Sequence, residues 1–179
     1  MKNTWKTKSS TLIYDNPWIC LREDQVINPS GNDGIYGVVH FKNKAIGIIP
    51  IDEEGNTYLV GQWRYALGEY SWEIPMGGSP LDVEPLEGAK RELLEETGLT
   101  AEKWELLGRI HTSNSVTDEE GFIFVAQQLQ QGNSFLDETE DITVWKLPLK
   151  EAIDMVISGK ITDSLSMAGL LWVGRMMKI

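Results

Sequence analysis

The stretch that most limits what this chain can fold into is residues 77–99, GGSPLDVEPLEGAKRELLEETGL, where a glycine pair and a closing glycine bracket a dense run of carboxylates. Pro85 suits the first turn of a helix, because its missing N–H would be unpaired there anyway, and Asp82 and Glu84 favour that positive end. Gly98 supplies the stop. At about 3.6 residues per turn, Glu92, Glu95 and Glu96 fall within an arc of roughly 100°, opposite an apolar stripe of Leu86, Ala89 and Leu93. Such a face is commonly solvated, and Glu87 with Arg91 as an i,i+4 pair would help it stand in water. The same hard oxygen ligands also suit Mg²⁺ or Mn²⁺.

The order Gly77, spacer, Arg91, Glu92, apolar Leu93, any residue, Glu95, Glu96, any residue, Gly98 and apolar Leu99 resembles the Nudix box, G-x5-E-x7-R-E-U-x-E-E-x-G-U with U apolar. Every defined position matches except one: Val83 stands where the box has its first glutamate, with Glu84 beside it. In the family that glutamate braces the loop and helix, while the later glutamates hold metal, and those are all present. The resemblance implies an α+β protein, an α/β/α sandwich around a mixed sheet. It also implies a Mg²⁺ (or Mn²⁺) site made by Glu92, Glu95, Glu96 and the backbone carbonyl of Met76, with Arg91 and Glu95 in the catalytic machinery. The alternative for Met76 is a buried core side chain.

The whole chain bounds the rest. Its 179 residues suffice for one catalytic domain with a small appendage. One cysteine, Cys20, excludes an internal disulfide framework, and with His40 and His111 far apart there is no zinc-type cluster. Residues 1–11 have no signal-peptide core, and the longest apolar stretch, near residues 168–173, is far short of the roughly 20 needed to cross a bilayer. A cytoplasmic protein without a membrane span is expected. A formal net charge of -11 opposes binding to nucleic acid, yet a small anion remains possible where metal reverses the local sign.

Along the chain, residues 18–26 and 35–41 read as two strands joined by the turn NPSGNDG. A third begins at Ala45 in AIGIIPI, and a turn at residues 52–56 precedes TYLVGQW, so the order predicts a meander. Residues 104–111, 121–129 and 142–147 read as further strands, residues 150–158 as a helix, and Asp163 or Ser164 as the cap of a last helix ending near Met177.

Residues 1–41 are similar to the small N-terminal β domain of ADP-ribose and ADP-sugar pyrophosphatases within the Nudix family, which implies a homodimer; residues 42–179 would be the Nudix domain. Residues 62–65, QWRY, and 72–77, WEIPMG, continue the resemblance. Arg64 has the planar fork that matches phosphate oxygens. Trp18, Trp63 and Tyr36 are aromatic candidates for stacking on a base, with packing as the alternative. Of the acidic loop at residues 118–120, Glu119 aligns best with a glutamate placed near the metals in these relatives and is a candidate substrate contact, with a solvated acidic loop as the alternative. In the second acidic loop, LDETED at residues 136–141, Glu138 matches the favoured general base, with Glu119 and Glu140 as competitors. The implied reaction is hydrolysis of a nucleoside diphosphate sugar, ADP-ribose or an ADP-sugar first, to a nucleoside monophosphate and a sugar phosphate. GDP-mannose and other nucleotide sugars stay open, as does a Nudix-like sensor that binds a nucleotide without chemistry, although such a module needs no carboxylate cage.

Overall fold

The computed structural model describes residues 2–132 and 141–179. Strands β1 (Lys6–Asp15), β2 (Ile19–Ile27) and β3 (Asp33–Phe41) form an antiparallel sheet in that order. β2 and β3 are the two strands expected from the sequence. β1 escapes a reading by pattern, since KTKSST has no apolar alternation and every residue of the strand is exposed. Backbone pairing with β2, from Lys6 opposite Ile27 to Asp15 opposite Cys20, holds it instead.

The expected meander does not continue past β3. β4 (Asn43–Pro50) leaves the first sheet, runs parallel to β9 (Gly121–Gln131) and antiparallel to β7 (Met76–Pro80), and with β8 (Leu99–Ile110) makes a mixed sheet ordered β7-β4-β9-β8. The cause lies in its side chains. Ile46 and Ile48 belong to one buried cluster and Ile49 to the other, so β4 is apolar on both faces, and such a strand belongs inside a covered sheet rather than in a half-solvated hairpin. A third sheet, ordered β10-β5-β6, comes from β5 (Asn56–Arg64), β6 (Glu69–Glu73) and β10 (Thr143–Pro148).

Helix α1 (Pro85–Thr97) covers one face of the mixed sheet, with Ala89 and Leu93 packed among Ile46, Ile48, Phe124 and Ala126. Full burial of Leu93 contributes about 2 kcal/mol. On the other face, α2 (Leu149–Ile157) and α3 (Ser164–Met177) bring Ile153, Leu165, Leu170 and Val173 against Ile49, Ile123 and Val125. The α/β/α sandwich with a small N-terminal antiparallel sheet is therefore present. Among the described residues, no helix is long and apolar enough to cross a membrane.

Three local features place the site. α1 ends at Gly98, whose φ of 70° lets its amide turn back to the Leu94 carbonyl. The helix lies close against β7 because Gly88 has no Cβ; one added there would come within 2.7 Å of the Ser79 side chain. Asp163 caps α3, accepting from the Ser166 amide and hydroxyl at 2.8 Å each, and Ser166 Oγ accepts the Ile74 amide at 3.0 Å. The start of α3 is thereby tied to the chain just before β7.

Candidate active site

The carboxylate face of α1 is not a solvated face. Glu92 and Glu96 are 5% and 2% exposed, turned under β7, while Glu95 is half-buried. The backbone of Gly77 passes directly over Glu92, so that a methyl group at position 77 would run into its carboxylate. One residue earlier, the Met76 amide donates to Glu96 Oε2 at 2.8 Å. Two consecutive β7 residues thus meet two glutamates one helical turn apart.

Arg91 holds this arrangement from the outside. Its guanidinium donates to the Gly78 carbonyl at 2.7 Å and pairs with both Glu92 and Glu95. The i,i+4 pair expected with Glu87 does not form; Glu87 takes Lys90 at 2.7 Å instead. Burial works against the Arg91 charge, but Glu92 and Glu95 outweigh it and raise its pKa above the ordinary arginine value.

A cleft of about 490 Å³ opens beside these groups and is lined by Trp18, Lys44, Arg64, Met76, Glu119 and Asp163, among others. Arg64, at the end of β5, forms a fork with Glu73 at the end of β6, Nε donating to Oε1 at 2.9 Å. Hydrogen bonding to Glu73 is the main cause of a raised Arg64 pKa, and Asp163 and Glu96 add to it against the opposing effect of burial. Glu119 reaches the cleft from the loop between β8 and β9, with Thr112 Oγ1 donating to its Oε2 at 2.8 Å. Trp18 presents an indole 66% exposed at the cleft.

The structure thus brings Trp18, Arg64, Met76 and Glu119 to one cleft. Tyr36 lies elsewhere: it borders a separate recess with Trp5 and Asp24, and its hydroxyl donates to the Ser115 carbonyl at 2.5 Å. Trp63 is exposed and does not line the cleft. Glu138 and Glu140 fall outside the described residues. Glu73, Lys44 and Asp163 were missed by sequence reasoning. Glu73 did carry a signal, a lone acid between Trp72 and Ile74; the other two look like ordinary polar residues at element ends.

Among the described residues, no group of three or more His, Cys, Asp or Glu side chains is arranged to hold a metal ion. Glu95 is committed to Arg91 and Glu96 to the Met76 amide. The donor chemistry nevertheless fits a hard divalent cation: the side chains that α1 offers on this face, Glu92, Glu95 and Glu96, are all carboxylates. The open cradle at Gly77 leaves the Glu92 carboxylate against backbone, where a bulkier residue would displace it.

A model of the NUDIX domain matches residues 41–164, and a model of the nucleoside diphosphate sugar hydrolase N-terminal domain matches residues 5–39. The chain belongs to the Nudix hydrolase family and is a pyrophosphohydrolase. It is similar to an ADP-ribose pyrophosphatase of Mycobacterium tuberculosis, 34% identical over 96% of this chain and 84% of that protein. An ADP-ribose pyrophosphatase of Bacillus subtilis is 31% identical over 89% of this chain and 86% of its own length. The methanol dehydrogenase activator of Bacillus methanolicus is 32% identical, again over 89% and 86%. A solved structure described as an ADP compounds hydrolase shares the fold with a TM-score of 0.88 at 19% identity, covering 98% of this chain and 95% of its own.

Proposed function

We propose that this pyrophosphohydrolase cleaves the diphosphate of ADP-ribose or a closely related ADP-sugar, releasing a nucleoside monophosphate and a sugar phosphate. The observation that carries this reading is similarity to ADP-ribose pyrophosphatases along nearly the whole chain, N-terminal sheet included, together with a cleft that brings Arg64 and Glu119 to Met76 and Gly77, the β7 residues that lie over Glu96 and Glu92. Glu92, Glu95, Glu96 and the Met76 carbonyl are the groups to hold Mg²⁺ or Mn²⁺. When bound, such a cation supplies charge neutralisation at the diphosphate and lowers the pKa of water.

The chain's own residues do the rest. Arg64, anchored by Glu73, directs its free guanidinium edge at phosphate oxygens, where charge develops as a phosphorus–oxygen bond breaks. Arg91 keeps Glu92 and Glu95 oriented. Glu119, restrained by Thr112, borders the diphosphate, and Trp18 offers an exposed ring to the base. Glu138, which precedes β10 in the sequence, takes the proton of the attacking water.

A homodimer, with a division near residue 41 between dimer-forming sheet and catalytic domain, is part of the proposal, and so is a cytoplasmic location. Leu12, Ile13, Tyr14, Trp18 and Ile35 are large apolar side chains left exposed on or beside the N-terminal sheet, an arrangement suited to a second copy. Tyr36, outside the lining of its own cleft, would then serve the neighbour's substrate.

The test is release of AMP from ADP-ribose with Mg²⁺, beside a panel of ADP-sugars and GDP-mannose, with light scattering at the assay concentration. Preference for GDP-mannose would move the substrate. Tight binding without turnover would favour a sensor, and a fully active monomer would sink the dimer.

A further inference from the structure

Val83 removes from the loop ahead of α1 the carboxylate that the Nudix box otherwise places there. Glu84, extended at the N-cap, makes no side-chain cap bond, and Pro85 follows it. The entry to α1 is therefore without the side-chain acceptor that commonly fixes a helix start. What does reach this loop is Lys44 of β4, whose Nζ donates to the Val83 carbonyl at 2.9 Å across 39 positions of sequence.

The location of that bond matters. Lys44 sits opposite Ser79 in the ladder between β4 and β7, and the same ladder places Ile46 opposite Gly77 and Gly47 opposite Met76. β7 is the strand that lies over Glu92 and Glu96. One side chain thus ties the loop feeding α1 to the sheet that sets the height of those carboxylates. A cation beside a helix N-terminus is disfavoured by the helix dipole, so its placement there needs a compensating contact, and the charge-assisted bond to the Val83 carbonyl provides it.

We infer that Lys44 is a positioning residue that anchors loop 81–84 to β4 and so fixes where α1 presents Glu92 and Glu96, taking over the brace absent at position 83. The inference rests on the reading of those carboxylates as metal ligands. Lys44 also borders the cleft, and the bond to the Val83 carbonyl uses one of the three N–H donors of its ammonium, so the test separates bracing from substrate contact.

Lys44→Met keeps most of the stem and removes the donor. Its affinity for Mn²⁺, read by electron paramagnetic resonance without substrate, should fall about tenfold, the low end for a group that orients metal ligands without touching the ion. Amide exchange over residues 81–90 should rise, and Lys44→Arg should keep both properties near the unaltered protein. Adding Val83→Glu to Lys44→Met should restore most of the lost affinity, whereas Val83→Glu alone should gain little, because the two braces share one task. Equal gains in both backgrounds overturn the assignment. So does unchanged Mn²⁺ affinity and exchange in Lys44→Met, with or without a higher KM, since a KM effect alone would make Lys44 a substrate contact. Should Lys44→Met fail to fold, Lys44→Gln carries the same comparison. Turnover of ADP-ribose by the unaltered protein tests the catalytic reading separately.

Discussion

Arg64 and Glu73 form a fork that is closed at its acidic end and open at its basic end: the Glu73 side chain is 3% exposed and that of Arg64 36%. Nε of Arg64 donates to both carboxylate oxygens of Glu73, at 2.9 and 3.2 Å, and Nη2 pairs with the second. Two contacts in one plane fix the tilt of the guanidinium, which a single contact would leave free to swing.

Replacing Glu73 with Gln should release that tilt. The guanidinium would then turn toward Asp163 and Glu96, the other acids that act on it. We expect kcat/KM for ADP-ribose to drop about 10- to 100-fold and stability to fall by about 1–3 kcal/mol, less than for a fully buried pair because Arg64 stays partly hydrated. Steady-state kinetics and urea melts check both; unchanged kcat/KM would remove Arg64 from phosphate binding.

At Gly77 the expected damage is to the metal site, not to the fold. A methyl there meets the far end of the Glu92 side chain, which can move aside at small cost in stability but only by leaving its place under β7. Gly77→Ala should therefore bind Mn²⁺ at least about tenfold more weakly while melting within a few degrees of the unaltered protein. Normal affinity would mean that Glu92 is not a ligand.

Glu138→Gln tests the base. Carboxylates bound to cations have their lone pairs committed and are poor proton acceptors, so a carboxylate from outside the box is the better candidate. The change should lower kcat by about 10²- to 10⁴-fold with KM and metal affinity nearly intact. Near-normal kcat in Glu138→Gln, alongside its loss in Glu119→Gln or Glu140→Gln, would transfer the role.

A pH effect on stability should come from Asp52, far from the chemistry. Burial would raise its pKa, but the Lys146 ammonium at 2.8 Å and the Asn56 backbone and side-chain donors hold it down at about 2. The folded value lies below the unfolded one, near 3.9, so this stabilisation is fully present above about pH 4 and is lost as the pH falls toward 2. The stability gap between the unaltered protein and Asp52→Asn should accordingly be constant from pH 7 to about 5 and shrink below 4. Urea melts across that range measure it, and a gap independent of pH would exclude Asp52.

The box, its helix and its terminators were legible because Pro85, Gly98 and the apolar stripe act within a single element. The burial of Glu92 and Glu96 was not, since it depends on how closely β7 lies over α1, a distance set by Gly88 against Ser79. β4 was readable as a strand but not as the centre of a sheet: its partners are β7 and β9, and local alternation says nothing about pairing at that range. Arg64 was found from its chemistry and its neighbours in the chain. Glu73, which aims it, became meaningful only when the β5–β6 hairpin brought the two ends together.

The parallel pairing of β4 with β9, from Ala45 opposite Gly121 to Pro50 opposite Ala126, has a consequence for the order of assembly. Contacts between distant parts of a chain form late, because loop closure must be met before pairing rewards it. During synthesis α1 emerges whole, with its local helical bonds available, well before β9 exists to complete the apolar floor under Ala89 and Leu93. Until then that floor is half made, with Ile46 and Ile48 of β4 present and Phe124 and Ala126 of β9 still missing. A nascent chain that stops short of β9 carries every residue of the box on a helix whose apolar support is incomplete.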